Sequence, residues 1–115
     1  MNKAFEKIAL IQGLIAAAFV TAEGKLAGWC ANSAMSPENL GYVAETCRVI
    51  LSANRAEQRA ANTGVVAFGS RTLVFREGEP GLFMAYLDSP TDDAVLEWLF
   101  DQVTPLLATE GVKLE

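Results

Sequence analysis

The stretch from Ser36 to Ala61 narrows the choice of fold more than any other part of this chain. Ser36-Pro37-Glu38 reads as a helix opening. Ser36 caps the first amides, Pro37 brings a φ suited to the first helical position, and Glu38 sits on the positive end of the dipole. Asn62-Thr63-Gly64 closes the helix. Advancing about 100° per residue sorts this segment into three stripes. Leu40, Val43, Ala44, Cys47, Ile50 and Leu51 form a strongly apolar one. Tyr42, Thr46, Val49, Ala53, Ala56 and Ala60 form a second, small and apolar, nearly opposite. Glu45, Arg48, Ser52, Arg55 and Arg59 lie between them, with Glu45 near Arg48.

A helix resting on one sheet needs a single apolar face, and the first stripe supplies it. Small residues let two helix axes approach toward the low end of about 8–10 Å. The second stripe therefore reads as a seam with a partner helix. The competing reading is that alanines merely report helix propensity on a solvated surface. Tyr42 and Val49 favour the seam, because a purely solvated face seldom carries Val. The charged stripe also has two readings. It is either plain solvated charge or a docking rim, in which Glu45, Arg48, Arg55 and Arg59 meet charged groups of a partner.

Strand patterns flank this helix. Asn2 caps a short first helix over residues 3–12, with Phe5, Ile8 and Ala9 on one face, and Gly13 stops it. Residues 14–20 are apolar throughout, which suits a strand covered on both faces. A turn over residues 22–25 carries Gly24, and residues 26–31 return as a second strand. Beyond Gly64 the pattern predicts strands over 65–68, 72–76 and 82–87, separated by Gly69-Ser70 and by Glu77-Gly78-Glu79-Pro80-Gly81. Gly64, Gly69, Gly78 and Gly81 are read as turn glycines. Ser89 caps a third helix, Pro90 starts it, and Asp92 completes a box-like opening. Leu96, Leu99, Phe100, Val103 and Leu107 make its inner face, and Pro105 should bend or end it. The order is α-β-β-α-β-β-β-α. The implied fold is α/β in the broad sense (α+β), a single five-stranded, mostly antiparallel sheet with helices on both faces.

With 115 residues the chain fits one domain, residues 1–115, with Leu114-Glu115 resembling a vector-derived scar. Hydrophobic residues make up 51%, a share that leaves some apolar surface for a partner to cover. The net charge of −5 argues against nucleic acid as a partner. The longest apolar run, residues 14–20, is far short of the roughly 20 residues a membrane span needs, so a cytoplasmic location is expected. There is no histidine, no phosphate-cradling glycine loop, and nothing to activate Cys30 or Cys47, both read as reduced core thiols. Asp92 and Asp93 are read as helix-opening residues and Glu77 and Glu79 as solvated. Trp29 and Trp98 are read as core or interface packing. No catalytic constellation, cofactor or metal site is expected.

The run Gly13-Leu14-Ile15-Ala16-Ala17-Ala18-Phe19-Val20-Thr21-Ala22-Glu23-Gly24-Lys25-Leu26 resembles the opening of roadblock/dynein light chain domains. The cap-Pro helix, the hairpin from Gly64 to Arg76 and the last strand before Ser89-Pro90 follow the same plan. This resemblance covers nearly the whole chain and implies a roadblock/profilin-like sheet. It implies a homodimer joined through the second helix and the following strand. That places Tyr42, Thr46, Val49, Ala53, Ala56, Ala60, Val66 and Phe68 at the seam. It further implies a non-catalytic adaptor, regulator or scaffold for a Ras-like small GTPase, as in bacterial and archaeal relatives. A small-molecule-sensing profilin- or PAS-like domain is the alternative. That alternative predicts a cavity near Trp29 or Phe83.

Overall fold

The computed structural model describes residues 2–31, 39, 42, 43, 45, 46, 49, 63–68, 70–88 and 92–112, with Asn2, Phe68 and Asp93 described by backbone alone. A helix spans Asn2–Ile8. It ends earlier than residue 12 because its ladder tightens: Leu10 N–H donates to the Lys7 carbonyl and Ile11 N–H to the Ile8 carbonyl, at 3.1 and 3.0 Å. These three-residue bonds wind a closing turn rather than another α-helical one. Gly13, at φ 86°, then swings the chain into the first strand.

Five strands follow: β1 Leu14–Thr21, β2 Leu26–Ala31, β3 Thr63–Phe68, β4 Arg71–Gly78 and β5 Gly81–Leu87. They form one sheet in the order β2-β1-β5-β4-β3. All four pairings are antiparallel. The expected hairpin between β1 and β2 is present, with Gly24 at φ 90° and Thr21 N–H donating to the Lys25 carbonyl at 2.8 Å. β3 starts at Thr63, so Gly64 is a strand residue and not the turn glycine the sequence suggested. It lies opposite Phe75, and a Cβ there would sit 2.3 Å from the ring of that residue. The strand keeps a glycine because an aromatic side chain occupies the space above it.

The two faces of the sheet carry separate cores. Ala17, Phe19, Val74, Phe83 and Ala85 face the N- and C-terminal helices, where they meet Phe5, Ile8, Leu99, Phe100, Val103 and Leu107. Ala16, Ala18, Val20, Leu73, Phe75, Leu82 and Met84 face the other way. Leu14 belongs with Ala17 and Phe19, although strict alternation would place it with Ala16. The β1–β5 register shifts between Leu14 and Ala16, and this bulge reverses the parity. β5 sits at the centre of the sheet with β1 beside it, and β1 is apolar on both faces, as its composition implied.

Between β2 and β3, the described residues Asn39, Tyr42, Val43, Glu45, Thr46 and Val49 are helical. Val43 packs against the second core. The first apolar stripe therefore faces the sheet at the one position of it that is described.

The C-terminal helix spans Asp93–Ala108. Its opening differs from the expectation. Asp92 is itself the cap, with extended backbone and a carboxylate that accepts from Val95 N–H at 2.9 Å. Ser89 and Pro90, the expected cap and first residue, lie outside the described residues. Asp92 prevails because its carboxylate stands three residues before an amide that has no helical acceptor. Pro105 lies inside the helix, which continues to Ala108. After it, Val112 N–H donates to the Leu107 carbonyl and Gly111 N–H to the Ala108 carbonyl, both at 3.0 Å. With Gly111 at φ 80° this is a Schellman ending, and Val112 closes it by joining Leu107 in the core.

Candidate interaction surface

Tyr42, Thr46 and Val49 follow one another at i, i+4 and i+7, a single stripe of an α-helix. Tyr42 is 75% exposed and Val49 67%, whereas Val43, one position from Tyr42, is half-buried on the sheet. The helix thus has an inner side and an apolar side that the chain itself leaves uncovered. The hydroxyl of Thr46 donates to the Tyr42 carbonyl at 3.1 Å, so its donor is already satisfied within the helix. Glu45 is exposed beside this stripe. Ala53, Ala56 and Ala60 of the expected seam lie outside the described residues, as do Arg48, Arg55 and Arg59 of the expected rim. Cys47 also lies outside them.

β3 is an edge of the sheet and pairs with β4 on its inner side. Edge strands are commonly guarded by charge, proline or a bulge. β3 has none of these: its sequence is TGVVAF and its register with β4 runs without a shift. The opposite edge, β2, is interrupted by a register shift at Phe19/Val20. Val66 turns toward the second core, the side on which Val43 packs. Phe68 pairs with Arg71 by its backbone, and its side chain is outside the description. Val65 points to the opposite face and is 46% exposed. Sequence reasoning missed Val65, although alternation along β3 was enough to set it apart from Val66.

Two arginines near β3 were not anticipated. Arg76 lies with its guanidinium carbon 3.8 Å from the centre of the Phe100 ring, and its Nε donates to Thr63 Oγ1 at 2.9 Å. It ties the start of β3 to the C-terminal helix. Partial burial lowers its pKa from the ordinary arginine range, and it stays charged at any physiological pH. Arg71 reaches Asp88 with 3.5 Å between Nε and Oδ1 and lies over Tyr86. Both members of the Arg71–Asp88 pair have side chains over half exposed, so the pair adds little stability.

The sensing alternative placed a cavity near Trp29 or Phe83. Phe83 is fully buried between Phe5 and Phe100, with ring centres 6.4 and 6.2 Å away. Trp29 is partly exposed on the β2 edge. A cleft among the described residues lies elsewhere, between the two terminal helices, where Lys3, Lys7, Leu106 and Glu110 line about 350 Å³. Cys30 is a half-buried free thiol packed against the first core, as a structural cysteine would be. Among the described residues no group of three or more histidine, cysteine or acidic residues gathers as a metal site. No described helix is long and apolar enough to cross a membrane.

No protein-family model matches the sequence, and no curated protein does. Solved structures match it in shape. The roadblock/LC7 domain from Streptomyces avermitilis superposes with a TM-score of 0.74 at 13% identity, covering 97% of this chain and 98% of that one. MglB of Myxococcus xanthus gives 0.69 at 9% identity, covering 96% and 83%. The gliding protein MglB of Thermus thermophilus gives 0.67 at 16% identity, covering 93% and 87%. At these identities the likeness is one of fold.

Proposed function

From a chain that carries the roadblock fold, we propose a homodimeric, non-catalytic adaptor or regulator that binds a Ras-like small GTPase in the cytoplasm. The observation that carries this reading is the uncovered stripe Tyr42–Thr46–Val49 together with the unguarded edge β3. Two copies related by a twofold axis would cover both at once, because an isologous contact buries the same patch on each partner. The GTPase half of the proposal comes from the family resemblance. A regulator with no catalytic group of its own acts on hydrolysis by ordering the switch loops of the GTPase.

Light scattering on the intact protein and on Val49→Arg tests the first half. A dimer that the substitution converts to a folded monomer supports the seam; a monomeric intact protein at tens of micromolar removes it. The second half is tested by titrating a candidate Ras-like GTPase, loaded with GDP or with a non-hydrolysable GTP analogue. Binding that differs between the two states supports regulation. Equal binding leaves scaffolding alone, since a ligand shifts an equilibrium only by its differential affinity.

A further inference from the structure

The C-terminal helix has an outer face that neither the fold nor the dimer reading uses. Its inner residues Leu99, Val103 and Leu107 are fully buried. On the outside, Val95 and Trp98 are 38% and 47% exposed, and neither belongs to a core cluster. Their i, i+3 spacing makes them neighbours on the helix surface.

The charges that the helix itself carries are of one sign. Asp92 and Asp93 open the helix, Glu97 and Asp101 follow, and its sequence DAVLEWLFDQVTPLLA contains no lysine or arginine. The helix is also firmly held. Asp92 caps its start, Arg76 lies on Phe100 at its middle, and the Gly111 turn fastens its end. A partner that docks on it meets a surface already in place and loses little freedom in ordering it.

We propose that this face docks a segment of a partner protein in which an apolar anchor side chain is flanked by lysines or arginines. The anchor covers Val95 and Trp98, and the basic flanks meet Glu97 and Asp101. A flanking arginine would also lie on the Trp98 ring. Charge complementarity sets the sign and the approach, while the apolar anchor packed on Trp98 supplies most of the affinity. The face lies across the sheet from Val43 and its helix, so docking here does not depend on the dimer.

The probe is a fluorescein-labelled helical peptide of alternating leucine and lysine turns, titrated into the full-length protein by anisotropy. A second peptide of equal charge, with serine for leucine, is the control. We expect saturable binding of one peptide per chain, weakened at least about tenfold by Trp98→Ala and by the double substitution Glu97→Lys, Asp101→Lys. Val49→Arg should bind as the unsubstituted protein does. The serine peptide should bind far more weakly. The charge-reversal variant alters exposed positions only, so it keeps the test open if Trp98→Ala does not fold. Equal binding of the two peptides would overturn the proposal by reducing it to net charge. So would unchanged binding in a folded Trp98→Ala. A dimer that Trp98→Ala splits and Val49→Arg does not would also overturn it, since the face would then belong to a second copy of this chain.

Discussion

At the scale of single residues, the tightest constraint is Gly81. Its φ is 150°, and a Cβ there would meet the Val20 carbonyl oxygen at 2.1 Å and the Thr21 Cα at 2.8 Å. Both are backbone atoms of β1, a strand paired on both sides, and have no room to yield. Gly81→Ala should therefore cost several kcal/mol, on the order of 3 or more, read as a fall in the urea midpoint. Gly64 is crowded by the Phe75 ring instead, a side chain that can shift, so Gly64→Ala should cost less. Arg76 acts through two contacts at once. Arg76→Ala should lose about 1–2 kcal/mol, and Arg76→Lys should recover little of it, because a lysine lacks the planar group that lies on Phe100. Cys30 gives a chemical readout. Burial raises its thiol above the ordinary 9.0, outweighing the lowering effect of its hydrogen bond with the Ala17 backbone. The thiolate is then scarcer at neutral pH than in a free thiol. Iodoacetamide should label Cys30 more slowly in the folded protein than in urea, and the gap should narrow as pH rises.

At the scale of elements, helix ends and strand edges decide behaviour. Asp92→Ala removes the carboxylate that accepts from Val95 N–H in the first turn of the C-terminal helix. It should cost about 1 kcal/mol, seen as a lower melting temperature. Asp92→Asn should largely keep that stability. A lysine on β3 tests the edge: Val65→Lys places charge on a strand that now has none, and should weaken self-association without unfolding the monomer. Elements were also where the sequence was most legible. All five strands lie where turn residues and apolar runs placed them, because hairpin turns are local chemistry. The errors sit at ends. Asn62-Thr63-Gly64 resembles a helix stop, yet β3 already begins at Thr63, since the Phe75 ring needs a neighbour without a Cβ. Ser89-Pro90 resembles a helix start, yet Asp92 holds the amide. Two capping signals within one helical turn of each other cannot be ranked without the backbone that brings one of them to the open N–H.

At the scale of the whole molecule, what the sequence could not yield was the arrangement of its pieces. The sheet order follows from β1 pairing with β5, two segments far apart in the chain, and no local signal encodes that meeting. The interaction surface was half legible. The wheel separated Val43 from Tyr42 and Val49, and their burial agrees with it. Alternation along β3 already separated Val65 from Val66, whereas the contacts of Arg76 with Thr63 and Phe100 became visible only in the assembled fold. The two apolar faces make a further expectation: Val49→Arg and Trp98→Ala should be independent, each affecting one assembly step and not the other. The double variant should then sediment as Val49→Arg does and bind the leucine–lysine peptide as Trp98→Ala does.

The β1–β5 pairing also bears on how fast this chain reaches its native state. The β1–β2 and β4–β5 hairpins are short-range and can form within microseconds. Neither is covered on both faces until the two halves of the sheet meet, and that encounter closes the long loop holding the crossover segment. The entropy of that closure is lost before the central pairing stabilises anything. Refolding should accordingly take roughly milliseconds to seconds, rather than the microseconds open to helical bundles of this length. During that interval the bare flanks of β1 and β5 are the surfaces on which misassociation would start.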